Sequence, residues 1–218
     1  MCHGDNMFSV IFDMDGTLLD TQRICIPAWE YAGNLQGFKN AGDCIYSVCG
    51  MNEKGWTNFL ESRYPTLDTL AFKRDMRDYI IKNGKIVFRK GAKELLDFLK
   101  QNNIKMAIAS GSSRASINHH LNEVNATHYF SAIVGGRDIV NGKPAPDIFL
   151  KAAKLIGAQP QDCFVFEDSE NGIKAGIDAG MKVIGFADII PFKEETKKLL
   201  FSNLNDLSEA IDMFKTIL

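Results

Sequence analysis

The stretch Phe8-Ser9-Val10-Ile11-Phe12-Asp13-Met14-Asp15-Gly16-Thr17-Leu18-Leu19-Asp20 decides how the rest of the 218-residue chain is read. Residues 8–12 form a short, almost wholly apolar run, as expected of a strand buried on both faces of a sheet. Two carboxylates spaced two residues apart follow at once, and Gly16 then lets the backbone turn tightly. At the end of a buried strand, one such carboxylate can bind a metal and attack phosphorus in line. The other can give or take a proton at the bridging oxygen. An acidic turn that merely caps a helix would carry the same letters, but its place after a buried strand argues against that simpler explanation.

Working outward, residues 105–110, 131–135, 163–166 and 182–186 are further strand-length apolar runs. Amphipathic helical patterns lie between them, at 93–101 with Leu95, Leu96, Phe98 and Leu99, at 147–156, and at 172–179. Strand and helix in alternation predict βαβ units, an α/β fold with a parallel sheet and helices on both faces. Ligands then bind beyond the carboxyl ends of the strands, so reactive residues should follow strands. Residues 20–84 break the pattern. They carry helix-like periodicity at 24–31, 54–62 and 71–80 and little strand character. They read as a helical insertion into a core made of residues 1–19 and 85–218, hinged at 17–20 and 82–89.

Three more loops obey the strand-end rule. Ser110-Gly111-Ser112-Ser113 follows the run at 105–110 and opens a helix, an arrangement that suits an anion through backbone N–H groups and the helix dipole. Gly142-Lys143-Pro144-Ala145-Pro146-Asp147 holds a lysine between prolines, where it can neutralise an aspartate and a phosphoryl oxygen. Glu167-Asp168-Ser169 places paired carboxylates at a strand end, and one or two of these with a substrate phosphate are enough for magnesium. Each loop alone has an ordinary explanation, such as a helix cap or a surface lysine. In this order, each at a strand end, they describe one phosphoryl-transfer cleft.

On these motifs the chain resembles the haloacid dehalogenase superfamily, in particular its β-phosphoglucomutase and phosphoglycolate-phosphatase-like branch. The resemblance spans nearly the whole chain. It implies a Rossmann-like core with a small α-helical cap at 20–84. It also implies Asp13 as nucleophile, Asp15 as general acid and base with its backbone carbonyl on magnesium, and Ser110, Gly111 and Lys143 on the transferring phosphoryl group. Asp168 becomes a direct Mg2+ ligand, with Glu167 behind it. An aspartyl-phosphate intermediate and a small-molecule phosphate ester as substrate follow. Dehalogenases of this superfamily lack the second Asp and use no metal, so Asp15 and Asp168 argue against dehalogenation.

Water or a second sugar phosphate could accept the phosphoryl group. Mutases of this branch carry a His early in the first cap helix and an Arg in a cap loop that binds the other phosphate. Here Cys25 and Glu53 stand at those places, and an acid would repel a second phosphate. The expectation is a phosphatase, with a mutase as the alternative and a non-enzymatic phospho-ligand sensor as a third reading. The loop at residues 52–56, with Asn52 as a binding candidate, is expected to set the substrate. Trp29 and Trp56 either line the substrate side of the insertion or pack it, with packing the expected role, and His119 and His120 read as surface residues on a helix after Arg114.

Bulk properties narrow the class. A net charge of -2 lacks the basic excess of a nucleic-acid binder. Five scattered cysteines, Cys2, Cys25, Cys44, Cys49 and Cys163, include no CxxC pair, which points to reduced thiols. Residues 1–6 are polar and no apolar run approaches the length of a signal peptide core or membrane span. A cytoplasmic monomer with no membrane or nucleic-acid partner is expected.

Overall fold

In the computed structural model, which describes residues 8–48, 51–188 and 190–218, the chain opens with β1 (Ser9–Phe12) and passes into four helices, α1 (Gln22–Leu35), α2 (Ile45–Val48), α3 (Glu53–Arg63) and α4 (Thr69–Asn83). Then follow α5 (Ala92–Gln101), β2 (Met106–Ala109), α6 (Arg114–Glu123), β3 (Ala132–Val134), α7 (Asp147–Ile156) and β4 (Cys163–Glu167). The last elements are α8 (Glu170–Asp178), β5 (Lys182–Gly185), α9 (Glu194–Lys197), β6 (Ser202–Asn203) and α10 (Glu209–Lys215). The described strands form one parallel sheet in the order β3-β2-β1-β4-β5-β6. This is the α/β fold expected from the alternating pattern.

β1 lies between β2 and β4, and the chain order reverses direction around it. Such a point leaves a crevice beyond the carboxyl ends of the strands. Register fixes what meets there. Phe12 pairs with Ile108 on one side and Phe166 on the other, so the residues that follow emerge side by side. The Asp13 N–H still donates to Phe166 O at 3.0 Å, and the Ser110 N–H to Val134 O at 3.1 Å.

The strand residues divide by the two-residue period of a pleated sheet. Val10, Phe12, Met106, Ile108, Phe164 and Phe166 bury one face against α5, α6 and α10 through Leu95, Leu99, Leu121 and Phe214. Ile11, Ala107, Ala109 and Val165 bury the other against α7 and α8 through Phe149, Ala152 and Ile173. Phe12 and Phe166 stack with ring centroids 4.9 Å apart, which stiffens the floor under the two strand ends.

The helices between β1 and α5 have an apolar cluster of their own, centred on Trp29, Ala32, Ile45, Val48, Leu60 and Phe72. Two start signals are plain. Asn52 accepts the Gly55 N–H at 2.9 Å to cap α3, and Asp68 accepts the Leu70 and Ala71 N–H groups at 3.0 Å to cap α4. The chain enters and leaves this region through two paired segments, with Asp20 N–H on Val87 O and Arg89 N–H on Leu18 O, both at 2.9 Å. Half-buried Arg89 is tied in turn to Asp188. Cys2, Cys49 and Gly50 lie outside the described residues. Among the described residues no helix is long and apolar enough to cross a membrane.

Candidate active site

Asp13 leaves β1 at the floor of the crevice and is buried. Its Oδ1 accepts from Lys143 Nζ at 2.5 Å, and the same ammonium binds Glu167 Oε1. Lys143 comes from the loop before α7, and its Nζ sits 4.9 Å from the centre of the Phe149 ring. The side chain is 2% exposed, so the loop delivers a fixed cation into the core. Burial alone pulls its pKa down, but the Asp13 and Glu167 carboxylates outweigh that and hold it above the ordinary lysine value.

Glu167 is the last residue of β4, and its carbonyl accepts the Phe186 N–H at 2.8 Å. Besides Lys143, its carboxylate accepts the N–H groups of Asp168 and Ser169 and the Ser169 hydroxyl, each at 3.0 Å. It is wholly buried. Its oxygens are thereby committed to holding Lys143 and the loop that carries Asp168.

Asp168 accepts Thr17 Oγ1 at 2.9 Å on one oxygen and Gln22 Nε2 at 2.6 Å on the other. Gln22 Nε2 is also 3.4 Å from the Asp15 carbonyl. One nitrogen therefore touches both atoms, and they converge on a single point. Gly16, between Asp15 and Thr17, holds φ at +88°, a conformation that side chains rarely adopt, and a Cβ there would fall 2.4 Å from Asp168 Oδ2.

Asp15 stands at the lip, half-buried. Its Oδ2 accepts the hydroxyls of Ser110 at 3.0 Å and Ser112 at 2.7 Å. Ser110 Oγ also accepts the Ser112 N–H at 3.1 Å, and Ser113 caps α6 through the Ser116 N–H. The 110–113 loop thus faces Asp15 with two hydroxyls. Asn52 closes the constellation from the helical side. A Cβ on Gly142 would lie 2.4 Å from its Nδ2, and one on Gly111 would lie 3.2 Å from the neighbouring Met51 carbonyl.

The charge count of this pocket is lopsided. Four carboxylates, Asp13, Asp15, Glu167 and Asp168, face one ammonium. Asp13 is pushed up to about 8, first by burial and then by Glu167 and Asp15, with Lys143 opposing. Asp168 is raised well above the usual carboxylate range by burial and by Glu167 and Asp13, with the Thr17 hydroxyl opposing. The surplus of buried negative charge and the converging oxygens fit a hard divalent cation. Among the described residues no three His, Cys, Asp or Glu side chains gather as a metal cluster. A cation here would rest on Asp13, Asp168 and the Asp15 carbonyl, with Glu167 behind them.

A cleft of about 1110 Å3 opens above this floor, running from Asp13, Asp15 and Asp168 along the helices. Trp29, Trp56, Cys25, His119 and His120 line it. Trp29 is buried as packing predicts and Trp56 is half-buried, yet both also form cleft wall. His119 is exposed and His120 half-buried. Burial, with Asp15 assisting, pushes the Cys25 thiol up to about 12, which keeps it a neutral wall residue.

The model of the haloacid dehalogenase-like hydrolases matches residues 9–180, most of the chain and every loop described above. The chain belongs to the haloacid dehalogenase-like hydrolases. Among relatives of this hydrolase, a phosphorylated carbohydrates phosphatase of Thermotoga maritima is 30% identical over 185 residues, covering 82% of this chain and 84% of that protein. A β-phosphoglucomutase of Bacillus subtilis is 33% identical over 189 residues, covering 82% and 83%. A hydrolase from Pseudomonas syringae shares the structure with a TM-score of 0.81 at 26% identity, covering 96% of this chain and 99% of that one. The site of this haloacid dehalogenase-like hydrolase also holds residues that sequence reading left without a role. Gln22 and Thr17 clasp Asp168, and Ser112 shares Asp15 with Ser110. Thr17 and Ser112 carried a signal, by lying in the Asp-Met-Asp-Gly-Thr motif and the Ser-Gly-Ser-Ser loop, and Gln22 carried none.

Proposed function

We propose that this chain is a magnesium-dependent phosphatase acting on a small phosphorylated metabolite through an aspartyl-phosphate on Asp13. The observation that carries the reading is the buried Asp13–Lys143–Glu167 array at the floor of a large cleft, with Asp15 poised beside it. Asp13 is the nucleophile. Its Oδ forms the bond to phosphorus as the ester P–O bond breaks, and Asp15 protonates the departing alcohol oxygen. Asp15 then takes a proton from the attacking water as its oxygen bonds to phosphorus and the Asp13 Oδ–P bond breaks, which restores the carboxylate and releases inorganic phosphate. Lys143 and the 110–113 loop hold the phosphoryl oxygens, so charge stabilisation is built in before substrate arrives. Magnesium held by Asp13, Asp168 and the Asp15 carbonyl would supply charge neutralisation at the phosphoryl group. The helices at 20–84 act as a cap over a core of residues 1–19 and 85–218, and Asn52 reaches from the cap to the phosphate loops.

The relatives' names span phosphatases and a mutase, so the acceptor is argued from the cleft. Cys25, where mutases of this branch carry a His, is too weak an acid to shuttle protons. Glu53, where they carry an Arg, is held by Lys73 at 3.2 Å and Arg137 at 3.0 Å, so those cations are engaged. Water is the acceptor that needs neither. Phosphate release from a panel of sugar phosphates, nucleotides and phosphoglycolate, with magnesium and with EDTA, tests this directly. Metal-dependent release without isomer exchange is expected. Isomerisation primed by a bisphosphate, with little free phosphate, would replace the phosphatase by a mutase.

A further inference from the structure

The two walls of the cleft differ in kind. On the helical wall Ile24, Trp29, Met51, Trp56, Met76 and Ile80 form an apolar patch beside Glu53, Lys73 and Arg77, whereas α6 presents Ser116, His119, Asn122 and Glu123. Trp56 is tilted 54° against Trp29 with ring centroids 5.3 Å apart, and Lys73 Nζ lies 4.9 Å from the Trp56 ring centre. This lysine is engaged by Glu53 and cannot freely meet a second phosphate.

A substrate must satisfy both walls, because an unpaired polar wall and a wetted apolar wall each cost free energy. A two-carbon acid phosphate would fill a small part of about 1110 Å3. A free sugar phosphate carries hydroxyls around its ring and would leave the apolar wall facing polar groups. An alkyl phosphate would leave the α6 wall unpaired. A flat heteroaromatic ring meets both demands, with an apolar face for the indoles and a hydrogen-bonding edge for α6.

We infer that the preferred substrate is a phosphate monoester whose alcohol carries a flat heteroaromatic ring, with the phosphate at Asp13 and the ring between Trp56 and α6. The inference rests on the phosphatase reading above and names its substrate class.

The test compares esters that share a phosphorylated arm and differ only by the ring, ribose 5-phosphate against uridine 5'-monophosphate and ribitol 5-phosphate against riboflavin 5'-phosphate. In at least one pair, kcat/KM should be about tenfold or more higher with the ring, a stacking-sized preference. Trp56→Leu should shrink that ratio towards one, and Trp56→Phe should keep most of it. Ring-free esters turned over as well as their partners in both pairs would overturn the inference while leaving the phosphatase reading intact. If no ester is turned over, the phosphatase reading fails, and binding decides the ring. Both tryptophans of the chain stand at this cleft, so intrinsic fluorescence reports on added uridine. Saturable quenching would support the ring site without turnover, and no change would sink both readings.

Discussion

The cleft has a floor and a roof that are built on opposite principles. On the floor, Asp13, Lys143, Glu167, Asp168 and Ser110 are buried polar groups, and their charged ends meet named partners. On the roof, the helices of residues 22–83 gather an apolar cluster of their own, and apart from the buried bond of Gln22 to Asp168 their polar links to the core include surface contacts such as Glu53 to Arg137. A buried charge is held in one geometry because leaving it unpaired is costly. An apolar wall asks only for size and shape, so many residues serve equally. On the proposed function, the floor would fix the reaction and the roof would choose the substrate.

The largest effect should come from the floor. Asp13→Asn keeps the side-chain shape but removes the carboxylate proposed to attack phosphorus. Phosphate release should fall by more than about 10⁴-fold. The melting temperature should stay level or rise, because Lys143 keeps Glu167 as its partner and one of four crowded carboxylates loses its charge. An Asn variant that turns over at even a tenth of the wild-type rate would take the nucleophile's role away from Asp13.

Next comes the cation that the floor shares. Lys143→Met leaves Asp13 and Glu167 buried without their ammonium, and Glu167 has no exposure at all. Breaking a buried pair on one side costs about 3–5 kcal/mol, a drop of roughly 6–20 °C for a chain of this size. Calorimetry on the purified variant measures it. A melting point within a degree or two of wild type would show that the floor tolerates loose charge, and the contrast with the roof would collapse.

The same contrast explains what could be read in the sequence. β1 to β5 are short apolar runs, and each matched its expected place to within a residue or two, because a strand buried on both faces has few polar letters to blur it. β6 carries only Ser202 and Asn203, and the seven-residue α10 turns little beyond Ala210 and Phe214 inward, so neither stood out. On the floor, Asp13, Asp15 and Asp168 were legible because they follow β1 and β4 directly, whereas Lys143 departs from the expected strand end: it lies well past β3 in the loop before α7 and was legible from its flanking Gly142 and Pro144. Gln22 was not. It lies on the first turn of α1, and nothing local says that its amide reaches 146 residues along the chain to Asp168. Trp29 and Trp56 show the limit on the roof. Helical periodicity marks an inward face, but core and cleft wall ask for the same apolar residues.

A smaller effect should follow from the contact between the two regions. Arg137 and Glu53 are exposed partners, with 78% and 39% of their side chains open to solvent. Such a pair is worth at most about 1 kcal/mol. Arg137→Ala should change kcat/KM by less than about fivefold, with the change shrinking further in high salt as screening rises. A hundredfold loss would mean that the roof is held as strictly as the floor.

An effect of comparable size lies wholly within the roof. Glu30, on α1, accepts the Gly42 N–H at 3.0 Å, the Asn40 N–H at 3.2 Å and the Asn34 amide at 3.2 Å. Asn40 is in the left-handed region at φ 61°, so this one carboxylate stabilises a turn with an unfavourable residue in it. The Gly42 N–H foremost, opposed by burial and helped by Asn40 and Asn34, holds the Glu30 carboxyl below its ordinary range. A folded-state pKa below the unfolded one means stability that is present above the unfolded value and is lost as pH falls through the folded value. Glu30→Gln should therefore cost about 1 kcal/mol at neutral pH, discounted for its solvent contact. The gap between variant and wild type should then close on acidification below the usual glutamate value. Denaturant melts at neutral and acid pH measure both arms. A gap that stayed constant with pH would assign the cost to lost shape, and the turn would be held by packing in the manner of the rest of the roof.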